Sequence, residues 1–486
     1  MSEVLGNLKP EILWKHFEEI CNIPHPSRKE QKLAEYIISF AKKNNLQYAK
    51  DDFGNVVIRK PATPGKENLI PVVMQGHIDM VGEKNADVAH DFDKDPIQIF
   101  VDGDWVKAKG TTLGADNGVG VAAALAVMES QNVEHGPIEA LFTLDEETGL
   151  FGAQSLKPGF VNAKILLNLD SEEDGALYIG CSGGQNTFVK FKFTPGAFSA
   201  NTLAVEIKIL GLKGGHSGLD IHTGRGNAIK LMVRLLHELN YKFGIQLVSI
   251  NGGSKHNAIP RETVSVIRCA KKNLNDVLAY IENYNIIVKA ELSTVEPNLN
   301  VTASQVKSKS KVIDKSTTKN LIDSLYAVPN TVIKMSADIE GLVETSTNLA
   351  VVVTKGKVVE VTLSQRSSVE SEKKDISNSI TALFRLAKAE VNQSDGYPGW
   401  KPDVQSPVLN VLKNVYNQMY GKEPEVKAIH AGLECGIIKE RYPEIDMISF
   451  GPTIMGAHSP DERVQISTVS KFYDLLKAVL KNIPSN

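Results

Sequence analysis

Three times in the first 170 residues, a short apolar run ends abruptly in acid. Leu69-Ile-Pro-Val-Val-Met74 leads into Gln75-Gly-His77-Ile-Asp79, and Ile138-Glu-Ala-Leu-Phe-Thr-Leu144 into Asp145-Glu146-Glu147-Thr-Gly149. Lys164-Ile-Leu-Leu-Asn-Leu169 is followed by Asp170. Runs of this length and character suit buried parallel strands, which commits that part of the chain to an α/β sheet. Side chains alternate along a strand, so His77 and Asp79 point the same way, and the carboxylate can orient the imidazole. A lone His-x-Asp is often only a hydrogen-bonded pair at a strand end. Three adjacent carboxylates, however, repel one another unless cations or solvent compensate. In open parallel sheets, ligands gather outside the carboxyl ends of the strands, where these acids lie.

The rest of the chain sets the frame. Its 486 residues predict two or three domains, with 42% hydrophobic and 23% charged residues as in ordinary globular proteins. A net charge of −3 with no long run of one sign gives nothing to track nucleic acid or an anionic membrane. The opening residues lack an apolar signal core, and no stretch approaches a membrane span. Cys21, Cys181, Cys269 and Cys435 lie far apart with no Cys-x-x-Cys pair, which argues against a disulfide framework or a thiolate zinc site. The expectation is a cytoplasmic protein.

Periodicity predicts helices over residues 9–22 and 29–44 and a strand over 54–59, with His25 structural in a Pro-rich turn. Beyond Pro195 the pattern changes. Leu203-Ala-Val-Glu-Ile-Lys-Ile209 alternates with period two, the mark of an antiparallel sheet with one buried face. Helices near 226–239, 274–284, 319–326 and 370–390 are interleaved with strands near 246–250, 262–270 and 298–306 and a hairpin over 350–363. This β-α-β-β order recurs roughly twice. A turn-rich junction over 392–400 then returns to α/β character, with a helix over 408–420, a strand over 444–450 and a long final helix. The domains expected are 1–197 and 393–486 as two parts of one α/β domain, with an α+β domain over 198–392 inserted between them.

Asp116 sits in the glycine-punctuated loop Gly110-Thr-Thr-Leu-Gly-Ala-Asp116-Asn-Gly118, just before the apolar helix Val119–Met128. A helix N-cap is one role for it; the glycines and the adjacent Asn117 favour more. With His77, Asp79, Glu146, Glu147, Asp170 and a late His458 it forms a set of imidazoles and carboxylates without cysteine, which suits zinc, manganese or cobalt. That is too many donors for one tetrahedral zinc and suits two metals about 3.5–4 Å apart with a bridging carboxylate. A glutamate beside a ligating one is then the candidate general base.

His77-Ile-Asp79, Gly114-Ala-Asp116-Asn-Gly, Asp145-Glu146-Glu147-Thr-Gly149, Asn168-Leu-Asp170 and Gly456-Ala-His458-Ser-Pro resemble the metal-site motifs of the dizinc aminopeptidase, carboxypeptidase and dipeptidase family. Lys213-Gly-Gly-His216-Ser-Gly218, Asn251-Gly-Gly-Ser-Lys-His-Asn257-Ala-Ile-Pro260 and His430-Ala-Gly-Leu-Glu434-Cys-Gly436 are similar to its aminoacyl-histidine dipeptidase branch. The motifs keep the family's order along nearly the whole chain. The resemblance implies a zinc-exopeptidase-like α/β domain of mostly parallel sheet flanked by helices, with an antiparallel α+β insertion acting as a lid. His77 and Asp170 would hold one zinc, Glu147 and His458 the other, and Asp116 would bridge. Glu146 would be the general base, Asp79 would orient His77, and the peptide after Asp116 would be cis.

In the lid, His216 would stabilise the oxyanion, from its own chain or a partner's, or else cap its Gly-rich turn. Arg366 would clamp the substrate's carboxylate, or be a surface arginine; Asn257 would bind the same end. His430 and Glu434 would sense the amino terminus. The function implied is hydrolysis of unblocked dipeptides, preferentially Xaa-His, by a cytoplasmic homodimer, with N-acyl amino acids or longer peptides as the alternative substrates.

Overall fold

In the computed structural model, which describes residues 4–485, the three apolar runs become neighbours in one sheet. Val72–His77 lies between Ile138–Thr143 and Ile165–Asn168 and is parallel to both, with His77 opposite Thr143 and Gln75 opposite Asn168. Asp446–Ser449 adds a fourth parallel strand beside Ile165–Asn168. Every residue of the first three strands is buried, as continuous apolar runs require. Further strands extend both flanks, giving an eight-stranded sheet: Gln47–Lys50, Val56–Lys60, Ile138–Thr143, Val72–His77, Ile165–Asn168, Asp446–Ser449, Ala176–Cys181 and Glu425–Ile429.

Glu11–Cys21 presents Leu13, Phe17 and Ile20, the face read from the sequence. Ala115–Glu129 is buried nearly all round, as its run of Ala, Val and Gly dictates. The unit comprises the chain up to Cys181, Trp400–Ala428 and the chain from Leu433 onward.

The second unit comprises Ser182–Gly399 and Ile429–Gly432. Its nine-stranded sheet is antiparallel, in the order Asn300–Val306, Thr202–Leu210, Thr263–Ala270, Gln246–Gly252, Val343–Lys355, Val358–Ser367, Gly183–Lys192 and Glu390–Gln393, with Thr331–Met335 also on Val343–Lys355. Helices Ala228–Phe243, Leu274–Glu291, Lys315–Ala327 and Glu370–Leu386 bury their apolar stripes with it in one core that includes Val205, Ile207, Leu235, Val277, Leu321 and Phe384. Gln246–Gly252 and Val343–Lys355 pair at two positions, Asn251 with Val353 and Gly252 with Val352. Gly183–Lys192 belongs to this sheet, pairing along its whole length with Val358–Ser367. The helix expected over 370–390 stops at Leu386, because Lys388 turns left-handed (φ 60°) and Glu390 opens a strand.

Candidate active site

The three parallel strands deliver His77, the Asp145–Glu147 loop and Asp170 to one end of the sheet. His77 is the last residue of its strand and 1% exposed. Gly76 before it is there for close approach: a Cβ would stand 2.2 Å from Asn117 Oδ1, while Asn117 Nδ2 donates to the Leu169 carbonyl at 2.7 Å. The start of the Ala115–Glu129 helix is thereby pressed onto two strands, with Asp116 at its tip and the Asp116–Asn117 peptide cis.

Asp116 faces both histidines. His77 Nε2 is 3.1 Å from its Oδ1, and His458 Nε2 is 3.2 Å from its Oδ2. His77 Nε2 also lies 3.4 Å from Asp170 Oδ1, and His458 Nε2 2.9 Å from Glu147 Oε1. Two triplets result, His77–Asp116–Asp170 and Asp116–Glu147–His458, each with donor atoms within 4.8 Å of one another and sharing Asp116. Asp170 Oδ1 is buried with no hydrogen bond among the described residues. Imidazole and carboxylate donors, an orphaned carboxylate oxygen and one carboxylate common to both triplets fit a pair of divalent cations. Glu30, Asp79 and Asp145 come equally close, but their oxygens already accept hydrogen bonds from Arg28 N, Asp145 N, Ser27 Oγ, Glu146 N and Thr148 Oγ1. That cluster is structural.

Charge crowding moves the pKa values of this set. Burial alone would lower His77, but Asp170, Asp116 and Asp79 raise it well above the ordinary imidazole value. Hydrogen bonds to Asp116 and Glu147 raise His458 to about 11. Burial raises Glu146 well above the ordinary carboxyl value, reinforced by Asp170, Glu147 and Glu434 and only partly offset by His77. Burial also pushes Asp170 up to about 7.

Asp79 does more than its spacing suggests. His77 Nδ1 lies 3.4 Å from its Oδ1 and 3.1 Å from its carbonyl oxygen. Its carboxylate also accepts from the Glu146 and Glu147 backbone N–H groups at 2.9 and 3.1 Å and from Ser27 Oγ at 2.8 Å. One buried acid thus ties the histidine strand to the glutamate loop. Glu462 does the same for Asp116: its Oε2 accepts from Leu113 N (2.7 Å) and Gly114 N (3.0 Å), its Oε1 from Ala115 N (2.8 Å) and Asp116 N (3.2 Å). Sequence reading missed both Ser27 and Glu462. Each sits in a short polar turn with no periodicity to mark it.

Glu434 lies fully buried in the first unit, where its Oε2 accepts from Gln75 Nε2 at 2.6 Å and Thr143 Oγ1 at 2.7 Å. Burial pushes its carboxyl up to about 7. His430, close to it in sequence, belongs to the second unit, where its Nε2 meets Ser346 Oγ at 2.7 Å.

Within the second unit, His216 and Asn257 are adjacent, because Gly215–His216 pairs with Ala258–Ile259. They line a cleft of about 1040 Å³ with Lys213, Lys255 and Arg261. His216 Nδ1 accepts from Gly218 N and Leu219 N at 3.2 and 3.1 Å, so the proton of the neutral ring sits on Nε2. Burial and the Arg366 charge lower its pKa to about 4, keeping the ring neutral. It caps its turn with one nitrogen and leaves the other as a donor. Arg366 is 6% exposed, with Nη1 donating to Tyr397 Oη at 3.1 Å; its buried Nε has no hydrogen-bond partner among the described residues. It is not a surface arginine.

A family model, peptidase family M20/M25/M40, matches residues 73–482. The cytosol non-specific dipeptidase of Escherichia coli (strain K12) is 45% identical over 485 residues, all of both chains. The crystal structure of the aminoacylhistidine dipeptidase from Vibrio alginolyticus is also 45% identical, with a TM-score of 0.93 over 99% of this chain and 98% of that one. The aminopeptidase PepT of Bacillus cereus shares the fold at 14% identity, with a TM-score of 0.57 over 98% of this chain and 99% of its own. Both the candidate metal-site motifs and the geometry around Asp116 fall inside a match that spans most of the sequence, and the chain belongs to peptidase family M20/M25/M40.

Proposed function

We propose that this protein is a cytoplasmic, zinc-dependent dipeptidase that hydrolyses unblocked dipeptides, those with C-terminal histidine among the preferred ones. The observation that carries the reading is the pair of donor triplets sharing Asp116, with Glu146 beside them. His77 and Asp170 would hold one zinc, Glu147 and His458 the other, with Asp116 available to both; cobalt or manganese would satisfy the same donors. Metals bound there would supply an acidified water and Lewis-acid polarisation of the scissile carbonyl.

Glu146 is the general base. Its raised pKa suits a group that takes a proton from the attacking water and hands it to the leaving amine, so the water oxygen bonds to the carbonyl carbon as the C–N bond breaks. Asp79 keeps the Glu146–Glu147 backbone and His77 in register. His216 Nε2–H is the donor for the oxyanion, from its own chain or across a homodimer, and its neutral ring suits that task. Arg366, buried without an acidic partner among the described residues, takes the substrate's free carboxylate, with Asn257 at the same end. The 182–399 segment acts as the lid.

The two relatives at 45% identity carry names of different breadth, one non-specific and one aminoacylhistidine. Profiling the purified enzyme on Ala-His, other Ala-Xaa dipeptides, acetyl-His and Ala-Ala-His tests the substrate range. Cleavage of dipeptides with Ala-His among the best, and of neither blocked nor longer substrates, is expected. Equal cleavage of acetyl-His would move the function to N-acyl amino acids. Sedimentation at micromolar concentration tests the homodimer.

A further inference from the structure

The lid sheet places a row of four residues in register across four neighbouring segments. Ser346 pairs with Arg366, Arg366 with Gly184, and Gly184 with Tyr397. Arg366 and Tyr397 are thus next-nearest neighbours, about 9.5 Å apart along the hydrogen-bonding direction at ordinary strand spacing. Their side chains nevertheless meet, with Arg366 Nη1 donating to Tyr397 Oη at 3.1 Å.

The intervening residue is what permits this. A Cβ on Gly184 would stand 2.7 Å from Tyr397 Cε1, and one on Gly432 2.8 Å from Cε2. The phenol ring lies across two glycines, in space that any side chain would fill. Its backbone is fixed as firmly: Tyr397 N donates to Gly184 O at 2.9 Å, and Tyr397 O accepts from Gly184 N at 3.0 Å. Lys373, 3% exposed, adds its Nζ to the same carbonyl at 2.6 Å. On the other side of Arg366, Ser346 is held by His430. The guanidinium has one neutral oxygen partner on Nη1, an unpartnered buried Nε, and no acid in ion-pairing reach among the described residues. A buried cation kept in this way is aimed, and its open donors await an anion.

We propose that Tyr397 is a positioning residue that holds the Arg366 guanidinium in place for the substrate's carboxylate. This rests on the reading of Arg366 as the carboxylate clamp, and the test separates the two. Tyr397→Phe keeps the ring in its glycine slot and removes only the hydroxyl. The experiment compares KM for Ala-His with the inhibition constant of Ala-His amide, which lacks the charged carboxylate, in wild type, Tyr397→Phe and Arg366→Ala, with melting temperatures alongside.

The expected result for Tyr397→Phe is a rise of about tenfold in KM for the acid, the size of one hydrogen bond to a charged group. Its kcat, its melting temperature and the amide's inhibition constant stay close to wild type. An unchanged KM for the acid, or equal weakening of acid and amide, overturns the positioning role. If Arg366→Ala weakens acid and amide equally, the clamp reading itself falls. If it weakens only the acid while Tyr397→Phe does nothing, the clamp stands and Tyr397 is mere packing.

Discussion

Replacing Glu462 by glutamine is the sharpest single change to the architecture that presents Asp116. The substitution conserves shape, removes the negative charge and leaves one terminal atom able to accept. In the native protein, both carboxylate oxygens each take two backbone N–H groups, from four successive residues, Leu113 to Asp116. Glutamine offers one carbonyl oxygen, so two of those N–H groups would face an amide that can only donate. Hydrogen bonds to a charged acceptor are worth about 1.5–3 kcal/mol each, so losing two destabilises the loop by about 3–6 kcal/mol. The effect is local and is best read by hydrogen exchange, resolved on peptides spanning 110–120. Protection of the 113–116 amides should fall about a hundredfold or more, since 1.4 kcal/mol is a factor of ten. Zinc affinity should weaken with it, because Asp116 loses its anchor. Protection within about threefold of wild type would refute the claim that Glu462 holds this loop.

Asp79→Asn should lower kcat by about 10- to 100-fold with the fold intact, since the variant cannot serve His77, both glutamate N–H groups and Ser27 together; steady-state kinetics and circular dichroism check it. Metal uptake should release protons. His458 is raised to about 11 by Asp116 and Glu147 and therefore stays protonated through neutral pH, so zinc must displace that proton and bind more tightly as pH rises. Calorimetry in buffers of different ionisation enthalpy measures it, and an affinity flat from pH 6 to 8 would contradict the contacts described.

The convergence of His77, Glu147 and Asp170 was legible because each follows an apolar run whose end is a strand end, and pairing then brings those ends together. His77, Glu147 and Asp170 leave three adjacent parallel strands, so sequence order alone nearly determines their meeting. Glu462 and Ser27 were not legible, because their partners are backbone N–H groups or a side chain far along the chain, and backbone carries no sequence signal. The short strands Gln47–Lys50, Ile99–Asp102, Thr331–Met335 and Glu425–Ile429 were missed for a related reason. They are half-exposed strands whose pairing, rather than any apolar run, makes them strands. Between His430 and Glu434, which read as one loop, the chain passes from the second unit back to the first, a crossing that no composition shift marks.

We propose that Glu146 drives hydrolysis at a metal pair that His77, Asp116, Glu147, Asp170 and His458 would hold. The most direct test is Ala-His hydrolysis by purified protein before chelation, after it and after zinc is restored, with metal-loaded Glu146→Ala in parallel. Activity should vanish with the metal and return with zinc, while the variant binds zinc and stays inactive. Hydrolysis that survives chelation, or a Glu146→Ala enzyme as fast as wild type, would contradict the account.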